Sequence, residues 1–122
     1  MNSNKTILLV EDNPQDEKLI LRALRKVNLI NQVDVVRDGQ QALDYLFREG
    51  EFAGREGDGL PAVVLLDISL PRVSGLDVLK RLRSDPRTRL QPVVMLTSSD
   101  EERDRLTSYQ DGANSFVRKP RV

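Results

Sequence analysis

The sequence predicts an α/β fold built on an open, doubly wound parallel sheet, because short apolar runs alternate with amphipathic helical patterns along the chain. The runs are Ile7-Leu8-Leu9-Val10, Val33 to Val36 broken by Asp34, Val63-Val64-Leu65-Leu66 and Val93-Val94-Met95-Leu96, with Phe116-Val117 a weaker fifth. Three are continuous, as expected of parallel strands covered on both faces, although short buried helices would satisfy the same periodicity. Between the runs, Leu19, Ile20, Ala23, Leu24 and Val27 share one helical face. So do Ala42, Leu43, Leu46 and Phe47, and then Leu76, Leu79 and Leu82.

Helix boundaries are marked by residue type. Asn13-Pro14 places a cap before a first-turn proline, Asp38 precedes Gly39, and Ser99 with Glu102 has the spacing of a capping box. Asp111-Gly112 is a stop signal. Repeated strand-helix units with right-handed crossovers put helices on both faces of a five-stranded sheet, for which the flavodoxin-like order 2-1-3-4-5 is expected. Arg48 to Pro61, rich in glycine and charge, reads as a surface loop longer than usual for this architecture.

Composition narrows the classes of function. A chain of 122 residues can bury one hydrophobic core and gives no sign of a second domain. With 39% hydrophobic and 31% charged residues it has the make-up of an ordinary soluble protein. Lys plus Arg equals Asp plus Glu at 19 each, so no global field draws it onto nucleic acid or anionic lipid, and neither is expected as a direct partner. The first apolar run is too short for a signal-peptide core or a membrane span, which points to the cytoplasm. Cysteine and histidine are both absent, which removes thiolate nucleophiles and the commonest general base and zinc ligand. Carboxylates are then the only anionic metal ligands, which favours a hard cation such as magnesium.

In an open α/β sheet, ligands bind beyond the carboxyl ends of the strands. Here the first run ends in Glu11-Asp12, the third in Asp67, the fourth in Thr97-Ser98 and the fifth in Arg118-Lys119-Pro120. Three carboxylates converging on one edge repel each other unless a cation compensates, and magnesium can do so while leaving one carboxylate free to attack phosphorus. Lys119 would add a second positive charge.

The set Glu11-Asp12, Asp67, Thr97 and Lys119-Pro120, in this order and spacing, resembles the receiver domains of response regulators from about Thr6 to Pro120. The resemblance implies that the whole chain, 1–122, is one receiver domain of a two-component phosphorelay. Asp67 would accept a phosphoryl group from a histidine kinase. Glu11, Asp12, Asp67 and the backbone carbonyl of Ser69 would hold Mg2+. Thr97 would hydrogen-bond a phosphoryl oxygen, Lys119 would form an ion pair with it, and Phe116 would be the aromatic switch. Such a protein is a phosphoacceptor that assists its own phosphorylation and dephosphorylation rather than an enzyme with a separate substrate.

Asp67-Ile68-Ser69-Leu70-Pro71 followed by Gly75 also looks like the family's loop after the acceptor, with Leu70 where methionine is more usual. Ser69 stands at a position that commonly influences phosphoryl lifetime. A narrower likeness, carried by Leu43-Asp44-Tyr45-Leu46-Phe47, the long loop to Pro61, and Ser108-Tyr109 with Gly112-Ala113-Asn114, is to single-domain regulators paired with bacterial phytochromes. It implies a light-sensing kinase as partner.

Each residue alone has a plainer reading: Asp12 or Asn13 as a helix cap, Asp67 as a turn residue, Thr97 and Ser98 as helix-entry hydroxyls, Lys119 as a solvated end, Phe116 as core. Their conjunction at four strand ends favours a site. An aspartate-based phosphohydrolase would usually carry an acid where Ser69 stands, and no dinucleotide or Walker loop follows the first strand. The remaining alternative is a phosphorylation-independent interaction module, whose expected mark is a damaged acidic pocket. Receivers normally continue into a fifth helix, whereas this sequence stops at Val122. The expectation is therefore a sheet face only partly covered by the first helix, in a shortened chain or one whose face is covered by a second copy, as a homodimer, or by a partner.

Overall fold

The computed structural model describes residues 6–27, 32–54, 59–98 and 112–120. In chain order these form β1 (Thr6–Val10), α1 (Pro14–Val27), β2 (Gln32–Val36), α2 (Gly39–Phe47), a short 3-10 turn (Gly50–Phe52), β3 (Val63–Asp67), α3 (Gly75–Ser84), β4 (Val93–Thr97) and β5 (Ser115–Arg118). The strands pair in parallel in the order β2-β1-β3-β4-β5, as the sequence predicts. The expected capping box at Ser99 and Glu102, and Asp111 of the stop signal, lie outside the described residues. Among the described residues, no helix is long and apolar enough to cross a membrane.

The anticipated caps form. Asn13 Oδ1 accepts from the backbone N–H groups of Gln15 and Asp16 at 2.9 and 3.0 Å, and Asp38 accepts from that of Gln41 at 2.7 Å. Ser74, not singled out in the sequence, caps α3 by accepting from Asp77 N at 3.1 Å. Two glycines let backbones approach more closely than any side chain allows. A Cβ on Gly39 would lie 1.8 Å from the Val73 carbonyl oxygen, and one on Gly75 would lie 2.1 Å from that of Asp67. The loop between β3 and α3 is thus clamped against the start of α2.

Alternation along the strands sends side chains to two unequal cores. Leu8, Val10, Val64, Leu66, Val93 and Met95 join buried residues of α2 and α3 on one face. On the other, Leu9 and Leu96 meet Ile20 of α1, with Leu21, Leu24, Val33, Val35 and Leu65 partly buried around them. The contact line of α1 centres on Ile20, Leu21 and Leu24, so Ala23 and Val27, expected on the buried stripe, fall outside it and are exposed. Val117 on β5 is also left 47% exposed.

The opposite end of the sheet from the predicted site is held by polar side chains that the sequence does not advertise. The Arg83 guanidinium donates to the carbonyls of Gly112 at 2.5 Å, Arg89 at 3.1 Å and Thr88 at 3.4 Å, and to Asn114 Oδ1 at 3.2 Å. Buried Thr88 donates to the Leu82 carbonyl at 2.7 Å, and buried Gln91 donates to that of Pro61 at 3.0 Å. The long loop also carries more structure than expected. Its Phe52 ring meets Tyr45 edge-on, with centroids 5.3 Å apart. Arg83→Ala would strip several carbonyls of a charged donor, and is expected to lower unfolding free energy by about 1.5 to 3 kcal/mol in urea denaturation. A loss below about 1 kcal/mol would mean that water replaces the guanidinium without cost.

Candidate functional site

Parallel register brings the strand ends to one edge: Val10 pairs with Leu66, Asp67 with Leu96, and Thr97 with Arg118. Hydrogen bonds from Glu11 N to the Val36 carbonyl at 3.0 Å and from Lys119 N to the Thr97 carbonyl at 2.8 Å carry the ladder past the ends of β1 and β5. Glu11, Asp67 and Thr97 are therefore fixed by backbone, and they are buried, at 0%, 3% and 1% exposure. Asp12 beside them is exposed.

The Lys119 ammonium, its side chain only 10% exposed, lies 2.9 Å from Glu11 Oε1, 2.9 Å from Asp16 Oδ2 and 3.1 Å from Asp67 Oδ2. Its contact with Glu11 is one of charge rather than a directed hydrogen bond. The second oxygen of Asp67 accepts from Ser69 N at 3.1 Å, and that of Glu11 accepts from Asn13 N at 3.1 Å. Thr97 Oγ1 is buried with no hydrogen-bond partner among the described residues. A hydroxyl so placed is costly, by about 1 to 3 kcal/mol, unless something arrives to bond it.

Burial sets the protonation of the carboxylates. Desolvation pushes the Glu11 carboxyl up to about 7, helped by the nearby Asp67 charge and opposed by Lys119 and the Asn13 N–H. Desolvation also raises Asp67, against the pull of Lys119 and the Ser69 N–H. For Lys119, burial alone would lower the ammonium, but Glu11, Asp16 and Asp67 outweigh it and raise it. One lysine does not neutralise this acidic edge. Glu11, Asp12 and Asp67 each offer a carboxylate oxygen, and these atoms lie within 4.8 Å of one another. All-oxygen donors this close suit a hard divalent cation.

The structure thus brings together Glu11, Asp12, Asp67, Thr97 and Lys119. Ser69 joins through its backbone. Phe116 stands apart from the charged cluster, partly buried against the larger core and paired with Met95. Asp34 is separate too: its carboxylate accepts from the Tyr45 hydroxyl at 2.5 Å and from Gln32 at 2.6 Å. Asp16 is the member that sequence reasoning missed. Its only signal was an acid in the first turn of α1, directly after the strand end.

A buried carboxylate set between an ammonium, a backbone N–H and an acidic cation cluster, at the carboxyl edge of a sheet in this order, defines a phosphoacceptor domain of two-component signalling. The chain belongs to the response regulator receiver domain family, whose model matches residues 7–121. It is similar to the bacteriophytochrome response regulator RtBRR, with a TM-score of 0.91 and 56% identity, covering 98% of this chain and 71% of that one. The phosphorylated cyanobacterial phytochrome response regulator RcpA matches with a TM-score of 0.81 and 40% identity, covering 97% of this chain and 82% of that one. The manganese-bound form of response regulator Rcp1, a Synechocystis protein, matches with a TM-score of 0.80 and 35% identity, covering 97% of this chain and 83% of that one.

The raised Glu11 carboxyl has a consequence for the metal-free protein. Its folded state holds that proton more tightly than an unfolded chain does. The resulting stabilisation is full below the ordinary value of 4.5 and is lost as pH rises through about 7. Glu11→Gln, uncharged throughout, is expected to flatten the fall in thermal midpoint across that window in the presence of a chelator. An unaltered slope in the variant would contradict the burial argument.

Proposed function

We propose that this protein is a response regulator whose Asp67 carboxylate takes a phosphoryl group from a phosphohistidine of a sensor kinase. The observation that carries this reading is the buried Asp67, 3.1 Å from Lys119 Nζ and within 4.8 Å of the Glu11 and Asp12 carboxylates. In the transfer, an Asp67 oxygen attacks phosphorus and an O–P bond forms. The P–N bond of the donor breaks, and its electron pair leaves with the imidazole. Glu11, Asp12, Asp67 and the Ser69 carbonyl would hold magnesium, which when bound supplies positive charge to the phosphoryl oxygens. The structures of phosphorylated RcpA and manganese-bound Rcp1 support both parts of the reading.

The remaining residues have roles that follow from where they stand. Lys119 offers its ammonium to the same oxygens. Thr97 offers a hydroxyl that has no hydrogen-bond partner among the described residues, and its movement toward Asp67 would let Phe116, on the neighbouring strand, repack. The same constellation assists loss of the phosphoryl group to water, so the protein governs its own phosphorylation and dephosphorylation. Similarity to RtBRR and RcpA favours a bacterial phytochrome as the kinase.

Incubation with magnesium and a small acyl phosphate, followed by mass spectrometry, tests the acceptor directly. Asp67→Asn keeps the shape of the side chain but cannot attack phosphorus, so its labelling should fall to background. Full labelling of that variant would overturn the assignment. Asp12→Ala should weaken magnesium binding about tenfold or more in a calorimetric titration, whereas Asp34→Asn should leave it unchanged.

A further inference from the structure

We propose that Asp16 is a positioning residue that draws Lys119 away from the phosphoryl site and so limits how fully the phosphorylated state is populated; the proposal rests on the acceptor role of Asp67. The geometry is specific. Lys119 Nζ is as close to Asp16 Oδ2, at 2.9 Å, as it is to Glu11 Oε1, and closer than it is to Asp67 Oδ2 at 3.1 Å. Asp16 is held there by its backbone, since its N–H is bonded to Asn13 Oδ1 at 3.0 Å in the cap that joins β1 to α1.

Asp16 differs from the other carboxylates around the lysine in one respect. Glu11 and Asp67 belong to the cluster whose oxygens can share a cation, so a bound metal offsets their charge. Asp16 lies outside that cluster, so a cation held by the cluster would not be coordinated by Asp16 and would leave its carboxylate facing Lys119. When a phosphoryl group arrives on Asp67, Lys119 has to serve its oxygens, and the Asp16 carboxylate opposes this twice. It competes for the ammonium, and it repels the incoming negative charge through a short distance. Asp16 is also 31% exposed at its side chain, so the penalty is moderated by solvent rather than prohibitive.

Beryllofluoride, which occupies an acceptor carboxylate reversibly as a phosphoryl mimic, measures the effect at equilibrium on the full chain. With saturating magnesium, Asp16→Asn is expected to bind it about three to tenfold more tightly than wild type by calorimetry. Asp16→Ser should do the same, and Asp16→Glu should restore wild-type affinity. Magnesium affinity is measured alone first and each titration is run at a concentration saturating for that variant, with unchanged thermal unfolding as the control for the fold, which separates positioning of Lys119 from a change in metal affinity. Equal or weaker beryllofluoride binding by both neutral variants, with the wild-type value intact, would overturn the role of Asp16 alone. No binding by wild type would overturn the phosphoacceptor reading itself, and this proposal with it.

Discussion

One ammonium surrounded by carboxylates is the constraint on which the rest of this molecule depends. Lys119 touches Glu11, Asp16 and Asp67, which come from the end of β1, the start of α1 and the end of β3, and it follows directly after β5. A buried ion cluster of this kind is weak evidence for stability, because desolvation offsets much of its Coulombic gain. Its effect is to fix where four elements meet. Burial pushes Glu11 and Asp67 up, and the lysine beside them offsets that push only in part. A cation held by Glu11, Asp12 and Asp67 would offset the charge of all three carboxylates.

The two ends of the sheet are built on opposite principles. At the carboxyl edge, charges are crowded and the Thr97 hydroxyl is left without a bond among the described residues. At the other end, Arg83, Thr88 and Gln91 spend their donors on backbone carbonyls at the turns between strands and helices. The second end is not wholly satisfied either, since Gln91 Oε1 is buried with no hydrogen-bond partner among the described residues. Functional strain at one end tolerates only so much looseness at the other when total stability is a narrow difference between large terms.

Most of the architecture was legible because parallel strands covered on both faces read as continuous apolar runs, and the residue ending each run is chemically abrupt. Glu11, Asp67, Thr97 and Lys119 could be found in that way, since strand order and register bring strand ends together whatever lies between them. Asp16 could not, because its position depends on how α1 leaves β1 rather than on any strand end. Arg83 was equally hidden. It reads as a solvent-facing charge on an amphipathic helix, and its acceptors at Gly112 and Asn114 are 29 and 31 residues away. The α1 stripe is wider in sequence than in contact, with Ala23 and Val27 exposed, because a helical face predicts which residues can be buried and not how much sheet lies opposite.

The same geometry bears on how a local charge change could become a surface change. Among the described residues β5 is an edge strand paired with β4, and of its four residues Phe116 alone is partly buried while the others are exposed. Its far end is tied through Lys119 to the site, and its near end follows the Gly112 and Asn114 contacts with Arg83. Thr97 pairs with Arg118 and Met95 with Phe116, so a displacement of Thr97 acts on the strand that carries the aromatic ring only two residues from it. No long chain of contacts is needed to link them. A thinly buried strand pinned at both ends, with its one half-buried ring in the middle, can alter its outer surface without unpacking the main core, and that makes a switch worth a few kcal/mol compatible with a fold of ordinary stability.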